Sequence, residues 1–174
     1  VRTFTANGLL AIGASPVMSE CSEDLKDLIV HASALLINIG TVTPDKVTYY
    51  KEAVKLAKAH EVPIILDPVG CHSGAYRLSV VLDLIKTDAI SLLRGNQSEI
   101  KAIYDALNTN HKIDSSLSGK GVDGEQVEDS AIITYRLARQ INCPVVATGE
   151  EDYVSDGTRV FAVPHGHSIM TAVT

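Results

Sequence analysis

The sequence predicts an α/β domain built on a mostly parallel central sheet. Three observations carry that expectation: four apolar runs are nearly continuous, helix-like segments separate them, and a hairpin signal follows the last run. Strands rich in Ile, Val and Leu without polar alternation read as covered on both faces, and strand–helix alternation is how parallel sheets are built. The expected fold is therefore a single domain spanning 1–174, with helices on both faces of the sheet.

Taken in order, Ser22 is placed to cap a helix containing Leu25, Leu28 and Ile29. The run "ALLINIG" (34–40) is the first strand. Thr43 followed by Pro44 starts a helix that reaches about His60, since proline is tolerated in the first turn and threonine accepts from an unpaired N–H. "VPIILDPVG" (62–70) is the second strand, followed by a helix over about Ser73 to Thr87. "AISLLRGN" (89–96) is the third, and a helix from Asn96 to Leu107 leaves it directly. The stretch 108–124 is polar and rich in Gly and Ser, hence a long loop. A helix over about Gln126 to Ile141 then leads to "CPVVATGE" (143–150), the fourth strand. Asp156 and Gly157 between two β-prone runs predict an antiparallel hairpin over 150–164.

Composition narrows the function classes. The formal charge of -6, with no Lys/Arg cluster and only six Tyr, two Phe and no Trp, argues against a nucleic-acid surface. Cys21, Cys71 and Cys143 are odd in number and form no C-x-x-C pair, which reads as plain thiols in a reducing cytoplasm. No run approaches the roughly 18 apolar residues of a membrane span.

Ligands of open α/β sheets sit beyond the carboxyl ends of the strands, where loops converge and helix N-termini point inward. Each predicted strand delivers polar groups there: Asn38, Gly40 and Thr41; Asp67, Pro68 and Gly70; Arg94, Asn96 and Glu99; Thr148, Gly149 and Glu150. Two carboxylates with an arginine, a threonine and glycines suit magnesium and a nucleotide, because magnesium takes one or two carboxylates plus phosphate oxygens. Each residue also has a structural reading. Asn96 and Glu99 have the spacing of a capping box, Asp67 before Pro68 can form a turn by itself, and Thr148–Gly149 is a turn dipeptide. "SGKGVDG" lacks the G-x-x-x-x-G-K-[ST] frame and reads as loop. His165 and His167 lack a third metal ligand nearby, and Met18 alone reads as core filler or a helix end.

The segments "FTANGLLAIGASPVMSE", "NIGT", "ILDPVG", "RGNQSEI", "KGVD", "TGEEDYVSDG" and "HGHSIMTAVT", in order from Phe4 to Thr174, resemble the hydroxyethylthiazole kinase family of thiamine salvage. That resemblance implies a ribokinase-like enzyme transferring the γ-phosphate of ATP, with Mg2+, to the hydroxyl of 4-methyl-5-(2-hydroxyethyl)thiazole. Met18 then resembles the thiazole-pocket methionine, Arg94 and Thr148 the ATP contacts, and Asp67 and Glu99 the carboxylates that position magnesium and its waters. It also implies a homotrimer with active sites at subunit interfaces. The family continues past "MTAVT" with a Gly-Thr-Gly-Cys turn that stabilises the transferring phosphoryl group, so the catalytic group is expected just after Thr174. N-terminal and C-terminal segments of the domain are expected outside these residues. The loop Asn110 to Ser118 is longer than the family pattern, and Cys71 stands where Ala or Val is expected, a packing change. A kinase for another small vitamin-precursor alcohol and a non-catalytic nucleotide-binding fragment are the alternatives.

Overall fold

A computed structural model describes residues 2–109, 129–164 and 166. Helix α1 (Arg2–Ala11) is followed by an extended stretch and α2 (Ser22–Ile29). Then come β1 (Leu35–Asn38), α3 (Pro44–Ala59), β2 (Ile64–Asp67), a 3-10 turn at Cys71–Ser73 and α4 (Ala75–Ile85). The chain continues through β3 (Ile90–Asn96), α5 (Gln97–Asn108), α6 (Ser130–Ile141), β4 (Val145–Thr148), β5 (Asp152–Ser155) and β6 (Val160–Val163). The sheet order is β1-β2-β3-β4-β5-β6, parallel through β4 and antiparallel from β4 to β6. This is the mostly parallel sheet with an antiparallel hairpin that the sequence predicts.

Strands that neighbour one another in chain order constrain where the helices lie. Right-handed crossovers between adjacent parallel strands return on the same side each time. Accordingly α2, α3, α4, α5 and α6 form one row in which each helix packs on the next. Alternate strand residues point into that layer and are sealed: Ile37, Ile64, Leu66, Leu93, Val145 and Ala147 are all 3% exposed or less. Their neighbours in sequence, Ile65, Leu92 and Val146, are half-buried, and Leu36 is exposed. Cover on both faces is therefore met on one face among the described residues, and β1, β2 and β4 alternate in burial although their composition does not.

Local chemistry explains most of the element ends. Thr43 accepts from Lys46 N at 3.4 Å with Pro44 at the first helical position, as expected. Asn142, in the left-handed region, ends α6, and Asp129 caps its start by accepting from Ala131 N. Three expectations shift. Ser22 lies inside α2, and its cap position belongs to Cys21, whose side chain makes no capping bond; its thiol approaches Glu23 Oε2 at 3.0 Å instead. The helix expected from Ser73 begins at Ala75, because the extended Gly74 separates it from the 3-10 turn. Helix α1 was not anticipated, since "RTFTANGLLA" mixes a glycine and two threonines among its apolar residues. The predicted start of the last helix at Gln126, the long loop Asn110 to Ser118, His165, His167 and the "MTAVT" segment lie outside the described residues.

The hairpin carries a buried polar side chain that sequence patterning did not single out. Ser155, 1% exposed, donates to Arg159 O at 2.8 Å and accepts from Gly157 N at 3.1 Å, closing the loop between β5 and β6. Asp156 adds bonds from Thr158 N and Arg159 N. Replacing Ser155 with Ala leaves a backbone carbonyl and an amide without these partners. Equilibrium urea denaturation should show a loss of about 1–2 kcal/mol.

Candidate functional site

A β-bulge decides which side chains share the rim of the sheet. Ile64 pairs with Ile90, but Ile65 pairs with Leu92, so Ser91 is the extra residue, and its hydroxyl accepts from Ile64 N at 3.1 Å. Side chains alternate faces with every residue, so one inserted residue reverses the phase of everything after it. Downstream of the bulge, Leu93 faces the helices while Arg94 and Asn96 face the open side. Without it, Arg94 would be driven into the helix layer. With it, Asn38, Asp67, Arg94, Asn96 and Thr148 all lie on the open face at the strand ends.

Asn38 pairs with Asp67 across β1 and β2, and its amide donates to Asp67 Oδ2 at 2.8 Å. The Asn38 carbonyl oxygen of the same side chain accepts from Gly40 N at 2.9 Å, and Tyr50 donates to the Asn38 main-chain carbonyl. Asp67 thus presents a carboxylate held by one oxygen. Burial raises its carboxyl above the ordinary value; Arg94 opposes the rise, Glu99 adds to it, and the Asn38 amide lowers it. Arg94 is exposed and forms no hydrogen bond or ion pair among the described residues, which leaves its fork available to an anion. Thr148, opposite Asn96, donates to Gly95 O at 3.3 Å.

Glu99 occupies a different setting from Asp67. It is 5% exposed, and both oxygens are engaged: Oε2 accepts from Asn96 N and Oε1 from Gly70 N, each at 2.8 Å. Asn96 accepts in return from Glu99 N at 2.9 Å, so the capping box of the sequence reading is real. The bond to Gly70 goes beyond a cap and ties the turn after Asp67 to the start of α5. Gly95 makes room for this, since a Cβ there would lie 3.0 Å from Glu99 Oε2 and 3.1 Å from Pro68 Cγ. Each Glu99 oxygen retains one acceptor position.

The donor set suits magnesium held through water. Asp67 keeps one oxygen free of hydrogen bonds among the described residues, and the Glu99 carboxylate is near enough to raise its pKa. Magnesium favours one or two carboxylates with several waters over a cage of side chains. Among the described residues no three or more His, Cys, Asp or Glu converge as a larger metal cluster.

Met18 lies apart from that row. It is 47% exposed in the stretch between α1 and α2, neither core filler nor a helix end, and lines a groove of about 360 Å3 with Val17, Leu28, Asp24 and Asp27. A chain of polar contacts joins this stretch to the rim, because Lys46 reaches Glu20 at 3.4 Å and Thr41 at 2.9 Å. A second hollow of about 490 Å3 opens beyond Thr148, lined by Gln97, Glu150, Glu151, Pro164 and Gly166. Gln97 spans it, donating to Glu151 O at 2.9 Å and accepting from Ser130. Gln97, Tyr50 and Arg77, which donates to Gly40 O and Val69 O, were not legible as rim residues, since each reaches the rim from a helix and only the packing of that helix aims it there. Cys71 is a buried thiol pushed up to about 12 by burial, with its sulfur 3.6 Å from Glu99 O, in keeping with a packing role.

The family described as the Hydroxyethylthiazole kinase family matches residues 1–174. A hydroxyethylthiazole kinase of Streptococcus agalactiae serotype Ia is 47% identical over 174 residues, all of this chain and 64% of the relative. One from Streptococcus suis is 44% identical over the same 174 residues, 63% of its own length. The solved structure of a hydroxyethylthiazole kinase protein from Pyrococcus horikoshii superposes with a TM-score of 0.82 at 35% identity, covering 97% of this chain and 59% of that one. The chain therefore spans a little under two thirds of the length of the relatives it matches.

Two measurements probe the carboxylates. A Glu99→Gln variant keeps one acceptor and turns an amide group toward a backbone N–H, so urea denaturation should register a loss of about 2 kcal/mol. Asp67 is probed through pH. A carboxyl raised on folding binds its proton more tightly in the folded chain, so its contribution is most favourable below the ordinary carboxylate value, about 4. That contribution is lost as pH rises through the raised folded value. Stability curves between acid and neutral pH should therefore decline less steeply with rising pH in Asp67→Asn than in the wild-type protein.

Proposed function

Since this chain belongs to the hydroxyethylthiazole kinase family, we propose that its protein uses ATP and Mg2+ to phosphorylate the hydroxyl of 4-methyl-5-(2-hydroxyethyl)thiazole. The observation that carries this reading is the open-face row in which a tethered carboxylate, Asp67, stands beside Arg94, a cation free of hydrogen bonds and ion pairs among the described residues. Family membership supplies the substrate class, and the row supplies chemistry that fits it.

In this reading Asp67 and Glu99 hold magnesium and its waters, Arg94 takes phosphate oxygens, and Thr148 offers its hydroxyl oxygen as a further polar contact. Magnesium neutralises phosphate charge when bound. The residues act by position and electrostatics: Asn38 aims Asp67, while the capping box keeps Glu99 and the α5 N-terminus in one orientation. The hollow beyond Thr148 has room for the uncharged part of the nucleotide, and Glu150 and Glu151 on its wall disfavour phosphate there. Met18 and Val17 contribute the apolar wall for the thiazole.

Phe4, Leu10, Ile12, Val17 and Met18 are 47–80% exposed. A partner subunit covering them accords with a homotrimer whose sites lie between subunits. The free cysteines accord with a cytoplasmic setting, and no helix among the described residues is long and apolar enough to cross a membrane.

The decisive assay follows phosphorylated thiazole by mass spectrometry with ATP, Mg2+ and thiazole present. Product should form with the thiazole in preference to pyrimidine or pyridoxal alcohols, and none should form without Mg2+. Arg94→Ala should raise the KM for ATP about tenfold, the loss of roughly one charge-assisted contact. ATP binding without any product would turn the assignment toward a nucleotide-binding role.

A further inference from the structure

The turn that follows Asp67 is gripped from two sides at a single peptide bond. Cys71 N donates to Pro68 O at 3.0 Å, and Gly70 has φ 73° and ψ 13° while Val69 keeps a negative φ, which defines a type II turn over Pro68 to Cys71. The central peptide of this turn is the one between Val69 and Gly70. Its carbonyl oxygen accepts from Arg77 Nη1 at 3.2 Å, and its N–H donates to Glu99 Oε1 at 2.8 Å. Carbonyl and N–H of a trans peptide point in opposite directions, so a cation holds one side and an anion the other. Glycine at position 70 permits either orientation of this peptide. A flip toward the type I form would aim the Val69 oxygen at the Glu99 carboxylate and the Gly70 N–H at the guanidinium, a repulsion at both ends.

The same Arg77 nitrogen also donates to Gly40 O at 3.0 Å, which extends the grip to the loop after β1. Gly40 N donates to Asn38 Oδ1, and Asn38 Nδ2 donates to Asp67 Oδ2. A ring results, running from Arg77 through Gly40 and Asn38 to Asp67, then through Pro68 and Val69 back to Arg77. Arg77 itself lies half-buried on α4, with no ion-pair partner among the described residues.

We propose that Arg77 is a positioning residue of this site: it latches the Val69–Gly70 peptide against Glu99 and so holds Asp67 and Glu99 in the arrangement that a water-bearing magnesium ion requires. The inference rests on the magnesium–nucleotide reading of the rim. Its role is to act through the two strand-end loops, whose carbonyls at Gly40 and Val69 it holds.

The test compares wild-type protein with Arg77→Ala, Arg77→Lys and Arg77→Gln by titrating Mg2+ into protein with ATP, alongside amide exchange at Gly70 followed by NMR. Arg77→Ala should raise the magnesium concentration for half-maximal ATP binding roughly tenfold, as outer partners of metal sites do. Binding of metal-free ATP should stay unchanged, Gly70 should exchange faster, and Arg77→Lys should recover part of both losses. If Arg77→Ala fails to fold, the Lys and Gln variants decide by the same two readings. An unaltered magnesium requirement in a folded variant would overturn the proposal, even with a loosened Gly70, because Arg77 would then be only a staple. Wild-type protein showing no magnesium-dependent ATP binding would instead defeat the reading of the rim, and the role of Arg77 with it.

Discussion

The architecture of the rim depends on one buried carboxylate. Glu99 has left water for a place between two loops, which would cost several kcal/mol if its charge stood alone. It does not stand alone: backbone N–H groups of Gly70 and Asn96 each donate to one oxygen, and the N-terminus of α5 lends a favourable dipole. The same two bonds join the loop after β2 to the end of β3, so the groups that stabilise the charge are the groups whose positions matter. Removing the charge would free both loops together. The capping box itself stays local, and it is the further bond to Gly70 that carries the same carboxylate across 29 residues of sequence.

A second constraint is the face on which each polar residue emerges. Sequential strand order commits the row α2–α6 to one side of the sheet, and the residues that terminate each strand on the other side form a row. Asp67 and Arg94 share one face because a bulge at Ser91 corrects the phase of β3 by one residue. The bulge is held by a serine hydroxyl standing in for a missing ladder acceptor, so a small polar side chain on the strand determines where a large cation several residues later emerges. The open face is partly apolar as well as polar, with Leu36 exposed beside half-buried Ile65, Leu92 and Val146. Its apolar rows explain why the strands read as continuous in composition.

The capping-box and metal readings of Glu99 turn out not to compete. A carboxylate has about four acceptor positions, and two backbone donors leave two. The structural bonds set the direction in which the remaining positions point, so the cap leaves them available to the proposed magnesium site. Asp67 illustrates the complementary arrangement, with one oxygen tethered by Asn38 and the other left open.

The sequence by itself determined the order of helices and strands after α1, the parallel sheet with its terminal hairpin, the Thr43–Pro44 helix start, the Asn96–Glu99 box and the residues that end each strand. All of these are written in local chemistry: side chains that bond their own neighbours, and apolar runs long enough to require burial. It also carried the family resemblance, which rests on ordered motifs. Tertiary structure alone decided the rest. Composition could not show that, among the described residues, α2 to α6 would gather on one sheet face, because residues for both faces are equally apolar. Nor could it show the Ser91 bulge, the exposure of Met18, the Glu99 bond to Gly70, or the approach of Arg77 to two carbonyls 29 residues apart. Those depend on strand register and on where a packed helix aims its side chains, quantities set by contacts between segments distant in the chain.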